Sequence, residues 1–138
     1  MREPTLFRDR PRSIQIVLVG LIPFVFGAVV GVFLGISAGA YWALSALAAI
    51  AAVVAGFEHH GPRGGAIRGL CAGAIFAAGI LIAHAIAGTH AKVSLGSFPP
   101  LLIVIDAVAG MLLSALGGLI GRSLWVRAAA EGDSARND

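Results

Sequence analysis

Long apolar runs separated by short polar segments organise this chain. Four runs stand out, at residues 14–36, 41–57, 66–87 and 101–120. At about 1.5 Å per helical residue, a run of about 20 apolar residues crosses a hydrocarbon core of about 30 Å. The first run, "IQIVLVGLIPFVFGAVVGVFLGI", has that length and carries Pro23, which bends a membrane helix without ending it when neighbouring groups take up the freed carbonyl. The second opens on Tyr41 and Trp42, side chains suited to the headgroup level, and is short enough to draw on Ala38–Ala40 to complete its crossing. The third contains Arg68 near its start and His84 near its finish, and the fourth follows Pro99 and Pro100, which sit well at a helix start.

The predicted fold class is therefore all-α: a polytopic integral membrane protein, with a compact bundle of four transmembrane helices forming one domain over residues 1–127. The remaining residues, 128–138, are small and charged without apolar periodicity, and are expected to form a short disordered cytoplasmic tail.

Composition agrees with this pattern. The chain has 138 residues, of which 58% are hydrophobic and 12% charged, whereas about a quarter of a typical soluble domain is charged. Apart from Arg68 and Asp106, the charges lie at the termini or in the connections. Arg2, Arg8, Arg10, Arg12, Arg63, Arg68, Arg122, Arg127 and Arg136 fall on one side of the four spans, and Lys92 on the other. The positive-inside rule then places both termini and the middle connection in the cytoplasm, and the expected location is a bacterial cytoplasmic membrane. A cleaved signal peptide is disfavoured because the first apolar run is longer than the usual core of such a leader. The basic residues are spread over three segments, as membrane orientation requires, and no nucleic-acid partner is expected. The lone Cys71, inside an apolar run, leaves no intramolecular disulfide to form.

Small residues recur every fourth position. Gly27, Gly31, Gly35 and Gly39 do so from the first run into the residues that follow it, Gly65, Gly69, Gly73 and Ala77 at the start of and along the third, and Gly110, Ser114 and Gly118 in the fourth. Residues four apart share a helix face, and in lipid a face without bulky side chains lets another helix approach closely. Glycine/small-residue packing faces are thus the expected glue of the bundle, with self-association as a further use.

Candidate chemistry is sparse. Asp106 is the acidic residue inside a span, and an aspartate there costs about 2.5–3.5 kcal/mol to insert. It shares the face of Gly110, Ser114 and Gly118, while His84 shares that of Gly69 and Gly73, at a similar expected depth. The two form a candidate intramembrane polar pair, either a structural bond between helices or a titratable element that moves a proton or cation. Glu58, His59 and His60 form a polar turn in which Glu58 is expected to pair with an arginine, and Arg68 is expected to extend toward the headgroups. No metal site, cofactor or catalytic residue is expected, since no HExxH, GxSxG, P-loop or dinucleotide motif occurs.

In size and number of spans the chain resembles the small multidrug exporters and the fluoride channels. It lacks the first-helix glutamate of the former, and its single asparagine, Asn137, lies in the tail and not within a span as in the latter. The expected function is that of a non-enzymatic structural or accessory membrane component working through helix packing, with the bilayer, a second copy or another membrane protein as partner. The alternative is a small oligomeric transporter or channel subunit using His84 and Asp106.

Overall fold

A computed structural model describes residues 10–59 and 61–134, and in these the chain is all helix and loop with no strand. Four helices are long and apolar enough to cross a membrane: α1 (Arg12–Ile36), α2 (Ala38–Gly56), α3 (Pro62–Ala87) and α4 (Leu101–Ser134). Large apolar side chains point outward on all of them, among them Val25 and Val32 of α1, Leu47 and Ile50 of α2, Ile67 and Leu70 of α3, and Leu112 and Leu116 of α4. In water such a belt would drive aggregation, whereas in lipid it is the natural exterior. The chain is built as a multi-pass membrane protein.

Local chemistry explains where each helix starts and stops. Pro23 has no N–H to offer the carbonyl four residues upstream, and there the helix widens: Val17–Leu21 is a π-helical turn in which the N–H of Ile22 reaches the carbonyl of Val17. Helix α1 thus continues through the proline by changing register. A single extended residue, Ser37, then separates it from α2, and its Oγ accepts the N–H of Ala40 at 3.3 Å as an N-cap. Pro62 occupies the first turn of α3, where a missing N–H does no harm. The other end of α3 closes on Gly88, whose left-handed backbone (φ 61°) carries its N–H back to the carbonyl of His84. Leu101, Leu102 and Ile103 donate to the carbonyls of Phe98, Pro99 and Pro100, so the double proline forms the lead-in to α4.

Helix α4 runs well beyond the expected limit at residue 120. The segment expected to be disordered from 128 is helical as far as Ser134, and residues 135–138 lie outside the described part. Alanine, arginine and glutamate there are strong helix formers with no proline among them, so the apolar span's helix propagates into the polar segment once nucleated.

Helix α3 is the spine of the bundle. It packs most extensively along α4 and next along α1, while α2 lies mainly against α4 and touches α1 and α3 more lightly. Val30, Leu34, Tyr41 and Ile80 form the buried apolar centre, with Phe26, Leu44, Phe76 and Leu102 around it. The connection from α3 to α4 folds back over this centre. Val93 and Leu95 pack on it, and the N–H of Lys92 donates to the carbonyl of Leu34 at 2.8 Å.

Candidate functional site

The small residues singled out from the sequence occupy defined places between helices. A Cβ at Gly27 would fall on the carbonyl oxygen of Phe76, and one at Gly31 on that of Ile80, so the two positions of α1 advance in step along α3. Between α3 and α4 the order is reversed, as antiparallel neighbours require: Gly65 lies over the carbonyl of Ser114, Gly69 over that of Gly110, and Gly73 over that of Asp106. The contact is mutual at Gly110, where a Cβ would meet the carbonyl of Gly69. Gly118 abuts the Gly61 backbone, and Gly35 faces the side chain of Thr89.

Ser114 stands where three helices meet. It is buried, its Oγ donates to the carbonyl of Ala52 in α2 at 2.9 Å, and its own carbonyl lies opposite both Gly56 and Gly65. A serine satisfied in this way contributes a hydrogen bond between helices while remaining small enough for close approach.

His84 and Asp106 are not joined by a hydrogen bond or an ion pair. His84 instead lines an open pocket with Leu81, Ala85, Val93, Leu95 and Pro100, under the connection between α3 and α4. Its Nδ1 is buried and makes no hydrogen bond. Asp106 is half-buried on α4. The place of Tyr41 at the edge of an apolar run did not disclose that it is buried. It is 6% exposed and packed against the buried centre, while Trp42 beside it, edge-on at 5.3 Å, faces outward at 61%.

At the opposite end of the bundle Glu58 ties three segments together. Its carboxylate accepts from Arg10 at 3.2 Å and from Arg68 at 3.5 Å, and Arg68 also donates to the carbonyl of Ala55 at 2.7 Å. Arg68 thus turns inward, with its side chain only 10% exposed, instead of stretching to the headgroups. Held at Nη1 by a carboxylate and a backbone carbonyl, the guanidinium has charge-assisted partners within the protein, which an extended side chain finds only by reaching water. Arg10, far from Glu58 in sequence, was not identifiable as its partner from spacing.

Among the described residues, no group of His, Cys, Asp and Glu is placed to hold a metal ion. Comparison with protein-family models, with curated proteins and with solved structures gives no match. The functional reading rests on the chain's own geometry.

Proposed function

We propose that this protein is a structural or accessory component of a bacterial cytoplasmic membrane, with both termini in the cytoplasm, and that it works by presenting a rigid helical bundle to another membrane protein or a second copy. The observation that carries the reading is the closeness of the helices along α1–α3 and α3–α4, where the positions of Gly27, Gly31, Gly65, Gly69 and Gly73 leave no room for a methyl group. Helices that approach so closely gain van der Waals contact in lipid, where there is no water to expel, and become a fixed platform more readily than a moving gate. No catalytic role is included in the proposal.

Purified protein reconstituted into liposomes is expected to pass no protons, cations or small dyes above the level of empty vesicles. Gentle extraction from native membranes is expected to recover it at constant stoichiometry with a membrane partner or with itself. Flux that disappears in both His84→Ala and Asp106→Asn would replace this reading with the transporter alternative. That second reading is favoured by one observation: ionisable side chains within spans are costly, and His84 Nδ1 is buried without a partner.

A further inference from the structure

A groove runs along the N-terminal third of α1, and its lining changes character from one end to the other. Arg12 and Gln15 stand at the end nearest the helix start, followed by Ile16, Val19 and Gly20, with Ile75 of α3 as the facing wall. The groove is a shallow, open furrow of about 480 Å³. We propose that this groove binds one anionic phospholipid, with the phosphate on Arg12 and an acyl chain laid over Ile16, Val19 and Gly20 against Ile75.

Three observations carry the assignment. Gly20 differs from the glycines between helices: a Cβ there would meet nothing within 4 Å, whereas one at Gly27 or Gly31 would strike the backbone of α3. Helix contact therefore does not account for glycine at this position, and the space its side chain would fill belongs to the groove. The π-helical turn Val17–Leu21 lies in the same segment, so this part of α1 carries a register change beside the open space. Charge supplies the third. Arg10 and Arg68 are engaged by Glu58, while Arg12 is exposed and forms no ion pair with any described residue. An exposed guanidinium above an aliphatic furrow complements an amphiphile with an anionic head. The span from Arg12 to Gly20, about 12 Å along the axis, is most of one leaflet of the hydrocarbon core. A soluble anion would use only the arginine and leave the furrow empty, so the lipid fits the whole lining better. The inference depends on the chain spanning a membrane and not on which cellular role it has.

Native mass spectrometry of the detergent-purified full chain, titrated separately with phosphatidylglycerol and phosphatidylcholine, tests it. One phosphatidylglycerol per chain is expected to be retained in preference to phosphatidylcholine by about fivefold, the contribution of one arginine near the surface. Arg12→Gln is expected to abolish the preference, and Gly20→Leu to weaken binding of both lipids by filling the furrow. Arg122→Gln, which changes an exposed arginine outside the groove, should leave both affinities as they were. Ile75→Trp, blocking the groove from the α3 side, provides a second steric test should Gly20→Leu fail to fold. The proposal is overturned if Arg12→Gln and Arg122→Gln reduce the preference equally, or if both steric variants bind as the parent does. It is equally overturned if the parent is a dimer that Gly20→Leu dissociates, since the groove would then hold a second copy.

Discussion

Two glycines with the same intrinsic cost to a helix have opposite surroundings. Gly69 lies over the carbonyl of Gly110 with no space for a methyl group, and Gly20 faces open space. The cost of changing either one is set by what its missing side chain would touch. Gly69→Leu is expected to lower stability by about 1–3 kcal/mol, the range for forcing atoms into a packed interior. Gly20→Ala is expected to raise it by up to about 1 kcal/mol through helix propensity alone. Unfolding in mixed detergent micelles, followed by loss of helical circular dichroism, measures both; equal effects of the two substitutions would contradict this assignment. The four-residue spacing identified Gly69 as one of a series but could not distinguish neighbour from void at any single position. Arg68 and Tyr41 illustrate the same limit for larger side chains. Their places near the ends of apolar runs pointed to the interface, whereas Arg68 is drawn in by Glu58 and the Ala55 carbonyl, and Tyr41 by the apolar centre formed with Val30, Leu34 and Ile80.

Each helix carries its own punctuation, and much of that is visible in the residues themselves. Ser37, Pro62, Gly88 and the Pro99–Pro100 pair mark the ends because each offers or withholds a particular backbone hydrogen bond. The response of α1 to Pro23 is less direct: a kink and a π-helical turn are both ways of accommodating a missing donor, and the chain uses the latter over Val17–Leu21. Restoring the donor by Pro23→Ala is expected to return this turn to α-helical register. Everything N-terminal to it would rotate by about 100°, one residue of helix. Spin labels at positions 12 and 63 would report the change as a shift of about 3 Å or more in their separation, since a Cα at about 2.3 Å from the axis moves about 3.5 Å through that rotation and a side chain moves further. An unchanged distance would show that the π turn does not depend on the proline.

Taken whole, the molecule has a spine, α3, with α1 and α4 along it and α2 completing the bundle against α4. The proposed orientation follows from the distribution of arginine, and it has a direct test in intact cells. In a Cys71→Ser background, Ser94→Cys in the α3–α4 connection is expected to react with a membrane-impermeant maleimide added outside. Arg127→Cys near the end of α4 is expected to react only after permeabilisation. The reverse pattern would invert the molecule, and labelling of both from one side would break the even number of crossings.

Four apolar helices were determined by the sequence alone, because crossing a membrane is a property each segment has by itself: transfer free energy sums along the run, and length against bilayer thickness decides the rest. The choice of neighbours was decided only in three dimensions. Segments that all carry small residues on one face look alike in sequence, and which of them meet depends on the fit of pairs at a common depth. That fit sets Gly31 over Ile80 and Gly69 over Gly110, and leaves His84 unbonded to Asp106. It also leaves Gly20 uncovered beside Arg12, a vacancy that belongs to no single segment and so could not be read from one.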